Sequence, residues 1–131
     1  MVCRTPSTPT TSPDTEEELK ERAAGISSGV DLLISHMPPY GVGGLCHDGD
    51  KAGCGSRALR ELVLSANDPP KLWAYSHIHE CGGRAYRLKG SETVMVNAAS
   101  SPLLGKGLRP PIVIDICKET KAILGVKVVA I

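Results

Sequence analysis

The stretch PPKLWAYSHIHECGG, residues 69–83, sets the apolar run KLWAY directly ahead of two histidines one residue apart and a glycine pair. A proline pair in front and a glycine pair behind bound a segment short enough for a strand, so KLWAY reads as a strand that delivers His77 and His79 to its carboxyl end. In an extended or turning segment, residues i and i+2 project to one side. His77 and His79 are therefore expected to share a cavity, with Ile78 packing the other way.

A second strand lies upstream. VDLLIS, residues 30–35, is a continuous apolar run between Gly29 and Pro38-Pro39, which reads as a buried strand with His36 just past its carboxyl end. Between the two runs, Ser56 can cap a helix whose apolar positions Leu59, Leu62, Val63 and Ala66 follow helical spacing up to Asn67-Asp68-Pro69-Pro70. Open α/β sheets collect their ligands at strand ends. Three of the four histidines fall there. Imidazole nitrogens suit zinc, iron, manganese and similar ions, so His36, His77 and His79 are the candidate metal ligands. An H-x-H pair alone is a weak signal, and a strand-end histidine bonded to backbone is the ordinary alternative for His36.

The rest of the chain fits one domain around this unit. At 131 residues and 41% hydrophobic content, a single modest core is expected. Phe is absent, so the core must be built from Val, Ile, Leu and Ala. From Thr5 to Thr15, ten of eleven residues are Ser, Thr or Pro, so residues 1–15 read as a disordered leader and residues 16–131 as the folded part. Asp14 with Glu17 reads as a capping pair for a short, mostly solvated helix running to about Gly25. Residues 38–56, PPYGVGGLCHDGDKAGCGS, form a long Gly- and Pro-rich loop. AYRL, ETVMVNA, PIVIDI and AILGVKVVAI read as further strands, the last two joined as a hairpin by CKETK.

Charge and composition exclude several partners. Fifteen Lys+Arg against fourteen Asp+Glu, with no long basic cluster, argue against a nucleic-acid polymer. No apolar run reaches the roughly 20 residues needed to cross a bilayer. Five irregularly spaced cysteines do not form the even framework of a secreted domain, so the chain reads as cytoplasmic with reduced thiols. A structural zinc module drawn from Cys46, Cys54, His77, His79 and Cys81 is the rival reading, although paired C-x-x-C knuckles are missing.

Taken in order, DLLISHMPPYGVG, AGCGSRAL, PPKLWAYSHIHECGG, TVMVNAAS and PPIVIDI resemble the carboxyl-terminal half of a calcineurin-like metallophosphoesterase, and are most similar to the small metallophosphoesterase-domain phosphodiesterases. The resemblance runs from about Leu19 to about Cys117. It implies an α/β fold in which a two-sheet sandwich is flanked by helices on both outer faces, with a dinuclear centre of Mn, Fe or Zn at the strand ends. His36 and His77 match ligands of the second metal and His79 a ligand of the first. Ser76 stands where the family motif has Gly, which puts backbone strain at that position in question. Gly44 departs from an acidic position of the nearest subgroup. Asn97 resembles a residue near the mouth of the family's active site, and a turn-forming Asn is the equal alternative. Glu80 is either an orienting partner for an imidazole or an exposed loop carboxylate.

The family's Asp-x-His, Gly-Asp and Gly-Asn-His motifs have no match ahead of Leu19. They carry the carboxylate that bridges the two metals. Two dications about 4 Å apart repel by near 16 kcal/mol at an effective dielectric of about 20, four times the ~4 kcal/mol of unit charges. Neutral imidazoles remove none of this repulsion. Asp31 and Asp115 lie away from the histidines in sequence pattern, and Asp48 and Asp50 sit with His47 in the long loop. The expectation is thus at most one divalent ion and little or no hydrolysis by this polypeptide by itself. A phosphodiester or nucleotide small molecule would be the substrate of a completed site. A half-sandwich also leaves sheet surface uncovered, which invites self-association.

Overall fold

The computed structural model describes residues 15–26, 29–42, 55–87, 90–101 and 107–129. It is a mixed α/β structure of two helices and two sheets. The helices are α1 (Glu16–Ala24) and α2 (Arg57–Ser65), and the strands are β1 (Leu32–Ile34), β2 (Leu72–Tyr75), β3 (Arg84–Arg87), β4 (Val94–Asn97), β5 (Ile112–Ile116) and β6 (Ile123–Val128). The first sheet has the order β1-β2-β4-β3, and β5 pairs with β6 in the second.

Strands β1, β2 and β4 run parallel, with Ile34, Ala74 and Val96 on one level of the register, while β3 is antiparallel to β4. The ladder extends past the strand ends through Ser35 N–H to Ala74 O, Ser76 N–H to His36 O and Ala98 N–H to Tyr75 O. One edge of the sheet therefore gathers the segments after all three parallel strands. Both histidine-bearing segments are among them.

Side-chain alternation splits the apolar residues between two faces. Leu33, Trp73, Tyr75 and Met95 pack with Ala23, Leu59 and Val63 of the helices. Leu72, Val94 and Val96 meet Ile112, Ile114, Ile123 and Val126 of the second sheet. Among the described residues, helices cover only one of the outer faces expected from the resemblance.

Both helices start where side-chain caps allow. Ser56 Oγ accepts from Leu59 N–H at 3.2 Å and starts α2 as its sequence predicts. The cap of α1 is Thr15 with Glu18, which bond reciprocally in a capping box, so the expected pair Asp14 and Glu17 is displaced by one residue and the leader gives up Thr15 to the helix. Threonine offers its hydroxyl to the N3 amide, and a Glu at N3 can reach back, which Glu17 in the preceding position cannot. The remaining leader, residues 1–14, and the loop interior, residues 43–54 with Gly44, Cys46, His47, Asp48, Asp50 and Cys54, lie outside the described residues. The described ends of that loop are tied together by a Pro39 to Ser56 bridge.

Strand β1 is not buried as its apolar run suggests. Only Leu33 is enclosed, while Leu32 and Ile34 are 37% and 57% exposed. They share a face with Leu72 and Ala74, but β1 is the edge strand and the β5–β6 hairpin covers the sheet only as far as β2 and β4. A continuous apolar run looks the same whether one or both faces of a strand are covered.

Candidate metal centre

The parallel register brings the carboxyl ends of β1 and β2 side by side, and it is this that unites His36 with His77 across 41 residues of chain. His36 Nε2 stands 3.1 Å from His77 Nδ1. Their rings meet edge to face, with centroids 5.0 Å apart and planes 74° apart. One ring must donate and the other accept. Both are exposed, so the pair opens to solvent at the sheet edge.

The segment after β2 is not extended. Ile78 N–H donates to Ser76 O at 2.7 Å across a single residue, and His77, at its centre, has φ +67°. This is a γ-turn of the positive-φ kind, which is rare for a residue with a Cβ. The strain anticipated at Ser76 falls one residue later. Ser76 instead stabilises the turn by accepting the His77 N–H on its hydroxyl at 2.6 Å. Ile78 does pack inward, at 3% exposure.

His79 opens a short 3₁₀ turn, His79–Cys81, and its ring faces a different neighbour from that of His77. Its Nδ1 lies 2.8 Å from the Ser101 carbonyl and 3.3 Å from the Ser101 hydroxyl. The i, i+2 rule for extended chain places both rings together; the γ-turn breaks that rule, so the structure joins His77 to His36 and sends His79 Nδ1 to the segment after β4. Glu80 is exposed beside it.

Residues outside the ligand motif hold these backbones. Trp73, fully buried, donates its indole N–H to Ser35 Oγ at 2.9 Å, and that hydroxyl donates to Met37 O at 2.6 Å, fixing the chain on both sides of His36. Asn97, also fully buried, donates through Nδ2 to Ile78 O at 2.7 Å and accepts Ala99 N–H on Oδ1 at 3.0 Å. It is thus both the turn-forming Asn and the brace of the histidine turn. Arg109 donates from Nη2 to His79 O at 2.7 Å. The one sequence cue for Trp73 is that a buried indole N–H in an aliphatic core needs an acceptor. Nothing local marks Arg109, which lies 30 residues from its partner. Next to the turn, burial pushes the Tyr75 hydroxyl well above the usual tyrosine range, with Tyr86 and Cys81 adding to the shift.

Two imidazole nitrogens bound to one tetrahedral ion at 2.0–2.1 Å stand about 3.3 Å apart. The His36–His77 separation is a few tenths of an ångström below that value, so the spacing of the two nitrogens is close to that of a chelating pair. Among the described residues, no group of three His, Cys, Asp or Glu side chains is clustered to hold a metal. The described donors do not fit a dinuclear centre. Asp31 is at the opposite end of β1, and Asp115 is paired with Lys127 at 3.2 Å on the hairpin. A cleft of about 400 Å³ opens between the sheets, lined by Ala74, Val96, Leu108, Arg109, Ile112 and Ile114 among others, and by none of the three histidines.

Over 64 residues, the chain is 33% identical to the Caenorhabditis elegans protein described as UPF0046 protein T07D4.2. That match takes in 49% of this chain and 15% of the relative, so the chain spans a small part of the relative's length. No family model and no solved structure matches the chain. No described helix is long and apolar enough to cross a membrane.

Proposed function

We propose that this chain is the carboxyl-terminal part of a metallophosphoesterase-type sandwich, that it binds one divalent ion at the carboxyl ends of its parallel strands, and that by itself it hydrolyses phosphodiesters poorly or not at all. The observation that carries the reading is the 3.1 Å approach of His36 Nε2 to His77 Nδ1, two strand-end nitrogens at nearly the spacing of a chelating pair. His79, whose Nδ1 is taken up by the Ser101 carbonyl, has only Nε2 to offer as a third donor, and the described residues do not cluster it with the pair. A divalent ion held there would supply charge to polarise a phosphoryl oxygen. His36 and His77 would hold it from two adjacent strands, while Asn97 and Trp73 keep the two backbones from moving apart.

Two sheets packed through Leu72, Val94, Val96, Ile112 and Ile114 support the sandwich part of the reading. The donor set supports the restriction to one ion, since three uncharged nitrogens offer nothing against the repulsion of a second dication. Calorimetric titration with Zn(II) or Mn(II), run beside hydrolysis of bis(p-nitrophenyl) phosphate with and without chelator, tests both parts. One ion per chain and negligible turnover is the expected result. Absence of any ion binding would remove the metal site, and brisk chelator-sensitive turnover would remove the claim of an incomplete site.

A further inference from the structure

In the turn that carries His77 and His79, three carbonyls are held by donors. Ser76 O accepts from Ile78 N–H, Ile78 O accepts from Asn97 Nδ2, and His79 O accepts from both Gly82 N–H at 3.3 Å and Arg109 Nη2 at 2.7 Å. The last contact is the only one of these supplied by a charged side chain, and a charge-assisted bond is about twice as strong as a neutral one. Access for Arg109 depends on Gly82. A Cβ there would collide with the Ala99 carbonyl and lie 2.8 Å from Arg109 Nε, so the guanidinium reaches His79 through space that only glycine leaves open.

The same segment fixes the His79 ring. A carbonyl oxygen can only accept, so the 2.8 Å contact with Ser101 O places a proton on Nδ1 and, in a neutral imidazole, leaves Nε2 as the bare donor. Arg109 N–H donates back to Ser100 O, beside Ser101. Arg109 therefore ties the backbone of His79 to the segment whose carbonyl selects its tautomer.

We infer that Arg109 is a positioning residue for His79, clamping its backbone carbonyl so that Ser101 holds the Nδ1 proton and Nε2 is presented unprotonated to a divalent cation. This rests on the proposed metal-binding reading for its purpose, but the tautomer itself does not need a metal to be present. Outer partners that orient a ligating imidazole change affinity by roughly 10- to 100-fold when removed.

Long-range proton–nitrogen correlation spectra of the metal-free, full-length chain, with His79 assigned by its loss in His79→Gln, read the tautomer directly. The expected spectrum has His79 protonated on Nδ1, with Arg109→Met giving a mixture of tautomers and Arg109→Lys, which keeps one cationic donor, returning most of the wild-type signal. In parallel, a Co(II) absorption titration is expected to weaken about tenfold in Arg109→Met. A wild-type spectrum dominated by the Nε2-protonated form would overturn the inference, as would a folded Arg109→Met variant with unchanged tautomer and affinity. If Arg109→Met fails to fold, the wild-type spectrum decides: dominant protonation on Nδ1 supports the clamped geometry and dominant protonation on Nε2 overturns it. Should the wild type bind no Co(II), the metal reading falls while the tautomer result still stands or fails independently.

Discussion

Replacing Asn97 by alanine removes two hydrogen bonds at a position with no solvent exposure, and the structure gives the size of the effect. The Ile78 carbonyl loses the 2.7 Å donor that holds the turn, and Ala99 N–H loses its 3.0 Å acceptor. A buried polar group left without a partner costs about 1–3 kcal/mol. Two such groups give about 2–6 kcal/mol, and the lower half of that range applies if water enters from the exposed His77 side. A loss of about 3 kcal/mol is a large fraction of the 5–15 kcal/mol that holds a domain of this size together. At roughly 4 °C per kcal/mol it lowers Tm by about 12 °C. The single tryptophan, Trp73, is fully buried in the core, so urea unfolding followed by its fluorescence measures the change without a label. Ser101→Ala, which removes only the 3.3 Å hydroxyl contact and leaves the carbonyl in place, serves as the control and is expected to shift stability by under about 0.5 kcal/mol. If Asn97→Ala costs less than about 1 kcal/mol, Asn97 does not brace the turn.

Other consequences are as specific. His77→Gly should be about 1 kcal/mol more stable than His77→Ala in chemical denaturation, because both lose the imidazole but only glycine accepts φ +67° without steric cost; equal stability would deny the strain. Trp73→Phe should cost about 2 kcal/mol by circular-dichroism melts, since Ser35 Oγ loses its 2.9 Å donor and the core loses volume, and a neutral result would show that Ser35 re-pairs freely. Glu16 is a link between the helices: its carboxylate accepts from Ser56 Oγ, Arg57 N–H and Ala58 N–H, and although burial alone would raise its pKa, these bonds and the Arg57 charge hold it below the usual value of 4.5. Because the folded pKa is depressed, this contribution is present above about pH 4.5 and is lost as pH falls through the lower folded value. Solvent screening keeps it under about 1 kcal/mol. Glu16→Gln should therefore narrow the stability gap to wild type as pH drops from 6 to 3, and a gap that is constant over that range would contradict the assignment.

The elements were legible from the sequence because their local chemistry is unambiguous. Ser56 caps α2 in front of a helical apolar stripe, KLWAY sits between breakers, and PIVIDI with AILGVKVVAI closes as a hairpin around a polar turn. Local patterns stop short of tertiary cover, which is why β1 read as buried when it is an edge strand with Ile34 open to solvent. The candidate site divides in the same way. That His36 and His77 lie at strand ends follows from the apolar runs, while their meeting depends on β1 and β2 being parallel neighbours, which only the fold shows. The separate course of His79 is not legible either, because a γ-turn depends on one positive φ at a histidine, a conformation that no residue preference announces. The clamps from Asn97 and Arg109 reach across 19 and 30 residues, and only the fold brings those partners together.

Metal stoichiometry in a Co(II) or Zn(II) titration of the purified chain, repeated on His36→Ala and His77→Ala, tests the central claim most directly. One ion per chain, with affinity reduced at least tenfold in each variant, is the outcome required by a chelating pair whose nitrogens lie 3.1 Å apart. Two tightly held ions, or binding indifferent to both substitutions, would contradict it.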